Sequence, residues 1–192
     1  MKSDPDLQIQ GRKIRLDGPS RIDPAHLLDL RIRNQATWNP VSAPVPPGGY
    51  TPDFQQRALR AFVKQWRRQR DYVFGVVNRD GELAGLAALE SVYFGAYRTA
   101  NLGFVIDQGQ AGQGFATEAV QLLLGFAFNG LMLQRIQAGI QADNEASRRV
   151  LVKCGFEREG VARDFLLIEE GWKDHVIYAT TRPDYIRATV TS

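Results

Sequence analysis

The segment Gly109-Gln110-Ala111-Gly112-Gln113-Gly114-Phe115 constrains this chain more than any other, because it sets three glycines between a short apolar strand and a strongly apolar helix. Ahead of it, Asn101-Leu102-Gly103-Phe104-Val105-Ile106 reads as the strand. After it, residues 115 to 128 carry Val120, Leu122, Leu123, Leu124, Phe126 and Ala127 at helical density. Glycine removes the side chains that would hold a ligand off the backbone, so successive N–H groups can converge on an anion where the helix begins. The turn predicts a site for a nucleotide or another pyrophosphate-bearing cofactor. Two common forms of such a site are excluded. A nucleotide-hydrolase phosphate loop requires Lys and then Ser or Thr after its last glycine, and Phe115-Ala116 stand there. A dinucleotide turn requires a small residue three places after its second glycine, where Thr117 stands, and no βαβ unit with a suitably placed acidic residue follows.

A second block runs from Leu133 to Gly160 and reads as strand, helix, then a Gly155-Phe156 turn into another strand. Each boundary has a local cause. Asn144 sits where an N-cap belongs, Glu145 adds negative charge to the first turn, and Gly155 suits the position just past the helix. The helix turns Ala146, Val150 and Leu151 to a core and leaves Arg148, Arg149 and Lys153 to water or phosphate.

Together the two blocks resemble the paired signatures of the GNAT N-acetyltransferase superfamily. The glycine signature, Arg/Gln-x-x-Gly-x-Gly/Ala, falls on residues 111 to 116, with Ala111 at its first position and Gln110 just before it. The second, as Asn144-x-x-Ser147-x-x-x-Leu151-x-Lys153-x-Gly155-Phe156-x-x-Glu159-Gly160, is similar to the RimJ/RimL branch, the ribosomal-protein-alanine N-acetyltransferases. Trp38-Asn39-Pro40 and Gly171-Trp172-Lys173-Asp174-His175 fit that branch too. The resemblance spans roughly residues 7 to 182, and it implies acetyl-CoA as cosubstrate, a primary amine as acceptor and direct attack in a ternary complex.

At 192 residues, 44% hydrophobic and 23% charged, the chain reads as one globular domain, 1 to 192 with a core of about 7 to 182. No apolar run approaches the ~18 residues a bilayer span requires, and Met1-Lys2-Ser3-Asp4-Pro5-Asp6 is too polar for a signal peptide. A cytoplasmic protein without a membrane partner is expected. Cys154 alone excludes an internal disulfide, and with only His26 and His175 to join it no metal site is expected. Cys154 itself reads as a packed residue rather than a nucleophile. The net charge of +3 is too mild to demand nucleic acid, and no direct DNA role follows. Between residues 57 and 70, Arg57, Arg60, Lys64, Arg67, Arg68 and Arg70 interleave with Leu59, Phe62, Val63 and Trp66. That stripe is either a solvated helix face or a patch that steers acidic partners such as CoA phosphates or a ribosomal surface.

Along the chain, Leu7-Gln8-Ile9-Gln10 and Ile14-Arg15-Leu16 suggest a hairpin around Gly11. Asp23-Pro24 opens a helix to about Asn34, residues 38 to 49 form a proline-rich loop, and Thr51-Pro52-Asp53 starts the basic helix. Residues 72 to 77 and 83 to 89 are strands joined at Asn78-Arg79-Asp80-Gly81. Residues 165 to 168 and 175 to 180 make a last hairpin. The pattern ββ-αα-βββ-α-β-α-ββ predicts a mixed α/β (α+β) fold with a single, mostly antiparallel central sheet flanked by helices, the GNAT arrangement.

By resemblance, backbone groups of Phe104, Val105 and Ile106 pair with the pantetheine arm. Gly112, Gln113, Gly114, Phe115, Ala116 and Thr117 take the pyrophosphate, and Asn144 hydrogen-bonds the arm. Ser147 matches the serine that meets the sulfur, and a hydroxyl there donates to a developing thiolate. The RimL-type carboxylate position falls on Leu166, so the general base stays open among Asp164, Glu90 and His175. Trp38 and Trp172 are candidates for packing against the acceptor. Three readings stand: acetylation of a protein N-terminus, possible targets including ribosomal proteins; acetylation of a small amine such as a polyamine, aminoglycoside or aminoacyl-nucleotide antibiotic; and a non-catalytic CoA-binding module. Monomer and homodimer are both compatible with the sequence.

Overall fold

Local signals place most element boundaries in the computed structural model, which describes residues 4 to 190. Strands β1 (Gln8–Gln10) and β2 (Ile14–Asp17) form the hairpin about Gly11. The Asp23 carboxylate accepts the N–H groups of Ala25 (2.7 Å) and His26 (3.3 Å) to open α1 (Pro24–Arg33). A one-turn α2 (Gln35–Trp38) runs into a 3₁₀ turn at Asn39–Val41. Thr51 caps α3 (Pro52–Arg67). Next come β3 (Tyr72–Asn78) and β4 (Leu83–Tyr93), joined by a turn in which Asn78 Oδ1 accepts from Asp80 and Glu82 N–H. Strand β5 (Thr99–Ile106) feeds the glycine turn and α4 (Phe115–Gly125). Then follow β6 (Arg135–Ile140), α5 (Glu145–Lys153) capped by Asn144, the long hairpin β7 (Glu157–Ile168) and β8 (Gly171–Thr181), and α6 (Arg182–Val190).

The eight strands form one mixed sheet in the order β1-β2-β3-β4-β5-β6-β8-β7, antiparallel at every step except β5 to β6. Strand β3 is buried along its whole length, since its two sets of alternating side chains both meet helices. Tyr72, Phe74 and Val76 join α4 and α5 in the main core, whereas Val77 packs with Leu27, Leu30 and Leu59 of α1 and α3. Trp66, at the end of α3, closes the main core edge-on to Tyr72 (5.0 Å between centroids) and Phe74 (4.8 Å). Helix α4 has no side-chain cap, yet Phe115, Val120, Leu123 and Leu124 are buried. Each contributes about 1.5–3 kcal/mol on leaving water, against ~1 kcal/mol for a cap, so burial holds the helix while its N-terminal N–H groups stay free for a ligand.

Four local expectations are corrected. Trp38 belongs to a helical turn rather than to the proline loop. The helix from 115 does not run regularly to 128: it widens into a π turn at Phe126–Gly130, with Leu131 N–H donating to Phe126 C=O (2.9 Å), which seats Phe126 against Trp66. Ala146 is exposed, because α5 meets the core through its later residues Val150 and Leu151 and the C-cap Cys154. A further helix, α6, follows β8, and Thr181 N–H at its start donates to Asp184 (3.1 Å) in the manner of a capping box.

Candidate active site

The parallel pair β5–β6 is hydrogen-bonded at only three positions, Thr99↔Arg135, Ala100↔Ile136 and Asn101↔Gln137, and then opens. Beyond that clamp β5 follows β4 and β6 follows β8. The wedge between them is a cleft of about 600 Å³ walled by Phe104 and Ile140 of the two strands, with Trp38, Glu90, Asn144 and Phe165 around it. A bulge in β7 between Ala162 and Leu166 supports the opening. It places the Phe165 ring where a Cβ on Gly139 would lie 2.8 Å away, so glycine at 139 is what admits the ring.

Peptide groups alternate in direction along a strand, and Asp107 N–H donates to Ala84 C=O of the β4 side (2.7 Å). Leu102, Phe104 and Ile106 therefore turn their backbone groups to the cleft. Val105 does not: its N–H and C=O face β4 opposite Leu86, which corrects the expectation that all three of Phe104, Val105 and Ile106 offer backbone groups there. The Ile106 carbonyl accepts from the Trp38 indole N–H (3.2 Å). The loop after Trp38 is fastened over the same end of the cleft, Asn39 to Glu169 (2.8 Å) and Gln141 to the Pro40 carbonyl (2.7 Å).

At the end of β5 a buried carboxylate organises the glycine turn. Asp107 accepts from Arg33 Nε (2.7 Å), Asn34 Nδ2 (3.0 Å) and Gly109 N–H (3.1 Å), and Asn34 in turn accepts Gln108 N–H (2.8 Å). Burial by itself would raise the Asp107 pKa, but these three donors together more than offset it and hold it below the usual carboxylate range. A depressed folded-state pKa supplies stability that is present above the unfolded value of ~3.9 and lost as pH falls through the folded one. Asp107→Asn is expected to lower stability by ~1 kcal/mol at pH 7, a figure discounted because Arg33 is partly exposed. Urea unfolding at pH 7 and pH 3 checks this, the gap between variant and parent closing at the lower pH.

Gly112 (φ +79°) and Gly114 (φ +85°) adopt the left-handed conformation that carries the chain into α4, whose first internal bond is Glu118 N–H to Gly114 C=O (3.1 Å). The N–H groups of residues 114 to 117 precede that bond and converge at the helix start. The β1–β2 hairpin reaches the same place. Glu118 accepts Lys13 N–H (2.9 Å) and also Arg12 N–H, and Lys13 Nζ donates to the Gln113 carbonyl (2.8 Å). A second hollow beside the turn, about 770 Å³, is lined by Arg12, Lys13, Arg79 and Gln113. Neither Lys13 nor Arg12 carries a local signal in sequence; their contacts at the turn reach across 100 to 106 residues.

The chemically competent groups fall into two sets. Glu90 lines the cleft with its carboxylate 3.6 Å from the Cβ position of Gly103. Crowding by the protein, and secondarily the negative charge of Asp71, pushes its pKa up although solvent still reaches it. Asn144 lines the cleft and its Oδ1 caps α5 through Ser147 N–H (3.0 Å), putting Ser147 in the first turn beside it. His175 also lines the cleft, buried, with Nδ1 3.0 Å from the Lys173 carbonyl and its ring on Phe165. Leu166 lines it as well. Asp164 and Trp172 do not: Asp164 is exposed in the β7 bulge (φ +47°), its N–H bonded to Asp174 (2.9 Å), and Trp172 is exposed near the hairpin tip. Cys154 contacts the Thr117 carbonyl, and burial lifts its thiol to about 11, which suits packing rather than nucleophilic attack. No cluster of metal-ligating side chains occurs among the described residues.

Residues 15 to 157 match the family model of the acetyltransferase (GNAT) domain. The chain is a GNAT acetyltransferase. It is 32% identical over 177 residues to the probable N-acetyltransferase YjcK of Bacillus subtilis, covering 92% of this chain and 98% of that protein. It is likewise 32% identical over 131 residues to the [ribosomal protein uS5]-alanine N-acetyltransferase of Escherichia coli, 67% and 68% of the two chains. In fold it matches Mycobacterium smegmatis RimJ in complex with CoA-disulfide, with a TM-score of 0.85 at 23% identity over 96% of this chain and 95% of that one. The GNAT signature's first position is Ala111 here, and Lys13 brings a positive charge to the same turn from the β1–β2 hairpin. No helix among the described residues is long and apolar enough to cross a membrane.

Proposed function

We propose that this protein moves an acetyl group from acetyl-CoA to the N-terminal α-amine of a protein, within a ternary complex. The observation that carries this reading is the order of features along β5: an unpaired edge bordering the cleft that Glu90 lines, and, just past the strand's end, a glycine turn with N–H donors beside the second hollow. Acetyl-CoA supplies the activated thioester. Phe104, and the N–H of Ile106, offer strand-like hydrogen bonds to the pantetheine arm. Asn144 keeps its Nδ2 group for the arm while its oxygen caps α5. The donors at 114 to 117 and the charges of Lys13 and Arg12 suit the pyrophosphate. Glu90 accepts the amine proton and Ser147 donates to the departing sulfur.

An α-amine favours this arrangement over a lysine side chain. Its pKa near 8, against ~10.4, reduces the cost of deprotonation at pH 7 from ~4.6 to ~1.4 kcal/mol. The test is an acceptor screen with acetyl-CoA in which N-terminal peptides, ribosomal proteins and small amines compete, read by acetylated product. Acetylation of α-amines supports the proposal; acetylation of a small aromatic amine alone, lost in Trp38→Ala, replaces it with the small-molecule reading; CoA binding with no product from any acceptor replaces it with a binding module.

Gly114→Val is expected to weaken CoA binding at least tenfold by calorimetry. A β-branched residue at φ +85° is strained by about 1–2 kcal/mol, and its Cβ would stand 3.3 Å from Lys13 Nζ, pressing away the cation that serves the turn. Unchanged affinity in a folded variant removes the turn from the cofactor site.

A further inference from the structure

Among the described residues, Arg31 in the last turn of α1 has a buried Nε without a hydrogen-bond partner. Arg33 and Asn34 beside it are engaged by Asp107, and Arg33 also bonds the Leu83 carbonyl (3.1 Å). Arg31 instead projects into the cleft, where its Nε is buried with no hydrogen-bond partner among the described residues. No carboxylate among the described residues forms an ion pair with it. Glu90 lines the same cleft, yet no hydrogen bond or ion pair joins the two, so the cleft holds one positive and one negative group held apart.

Position in the last turn of a helix favours a cation, but it explains neither the burial nor the direction. Arg31 is half-buried and its Nε is cut off from water, and a guanidinium so placed is stabilised by a hydrogen-bonded anion, its planar fork suiting a carboxylate. The neighbouring Tyr50 hydroxyl donates to Asn39 (2.8 Å), and no hydrogen bond joins it to Arg31 among the described residues. The open cleft leaves room for that partner to come with the substrate. We propose that Arg31 is a specificity-determining residue that binds a carboxylate carried by the acceptor, while the acceptor's amine lies toward Glu90. This rests on the acetyltransferase reading above and narrows it: polycationic acceptors such as polyamines are disfavoured, and acceptors with an acidic group close to the amine are selected. The carboxylate comes either from an acidic side chain near a peptide N-terminus or from a free amino acid.

The experiment uses the full chain and peptides with a free N-terminal alanine, identical except for Glu, Gln or Lys at the second or third position, alongside free glutamate and alanine. Binding is read by anisotropy of C-terminally labelled peptides on the CoA-loaded protein, and turnover by product. The binding arm decides the role of Arg31 even where no acceptor is acetylated, an outcome that would count against the acetyltransferase reading alone. A charge-assisted bond of the usual strength predicts a roughly ten- to hundredfold preference for Glu over Gln, collapsing toward unity in Arg31→Gln and turning to Lys over Gln in Arg31→Glu, with CoA affinity as the control for folding. Preference for acidic peptides assigns the carboxylate to a side chain; selective binding of free glutamate and alanine assigns it to an amino acid. Equal binding of Glu and Gln peptides together with no binding of the free amino acids, a preference for Lys in the parent protein, or an equal loss for all acceptors in Arg31→Gln would overturn the proposal.

Discussion

Glu90→Gln is expected to lower kcat by about two to four orders of magnitude with an identified α-amine acceptor, the range a positioned general base supplies. The argument starts from a mismatch. An α-ammonium near pKa 8 stands about 3.5 units above an ordinary carboxylate, so passing its proton to one is uphill by roughly 5 kcal/mol. Crowding and Asp71 raise the Glu90 pKa, and every unit gained removes ~1.4 kcal/mol from that gap. Of the other candidates Asp164 lies outside the cleft, while His175 lines it with Nδ1 3.0 Å from the Lys173 carbonyl, so the Glu90 variant decides between the two. The pH profile carries the sharper test. With the parent, kcat falls at low pH through two ionisations, that of the acceptor amine and that of Glu90, the latter above the usual carboxylate range. Glutamine keeps the volume and loses the second ionisation, so its profile retains only the amine limb. A variant with full turnover, or one with both limbs intact, would show that His175 or water removes the proton instead.

The parts of this molecule that could be read from sequence are those whose causes lie within a few residues. Asp23-Pro24, Thr51-Pro52 and Asn144 each cap the helix they precede, and the turn after Asn78 closes on its own side chain. The glycines at 112 and 114 were informative for the same reason, because a left-handed backbone is a property of the residue that adopts it. Thr181-Arg182-Pro183-Asp184 carried an equally local signal for α6, masked by a proline that reads as a break but sits comfortably in a first helical turn. What stayed hidden depends on distant pairings. Lys13 meets Gln113 only because β2 and α4 pack together; Phe165 enters the cleft only because β7 bulges against β8; Val105 turns away only because the register with β4 makes it do so. The same holds for charge. Glu169 and Glu170 stand side by side in the sequence, yet Glu169 bonds Asn39 and Glu170 pairs with Lys173 (3.0 Å), and Glu90 and Arg31 are the charges that line the cleft.

Ser147→Ala is expected to reduce kcat by a factor of about 10² to 10³, the usual cost of about 2.7–4 kcal/mol for removing a donor aimed at developing negative charge, with little change in CoA affinity. The separation follows from timing. The neutral sulfur of a thioester is a poor acceptor, so a hydroxyl beside it gains little when the cofactor binds; the gain arises as the bond breaks and charge gathers on sulfur. A residue that acts only then lowers kcat and kcat/KM together and leaves binding intact. Placement of the hydroxyl depends on Asn144, whose oxygen holds the Ser147 N–H at 3.0 Å and so fixes the first turn of α5 at the edge of the cleft. Asn144→Ala should therefore reproduce part of the Ser147 defect and add a loss of CoA affinity, since it removes the cap and the amide together, at about 0.5–2 kcal/mol for the cap alone. The double variant discriminates between the two roles. If Asn144 works through Ser147, the pair together loses far less turnover than the product of the single losses. If the losses multiply, the serine hydroxyl and the asparagine act independently; and if Ser147→Ala stays within twofold of the parent, the thiolate draws its proton from another donor.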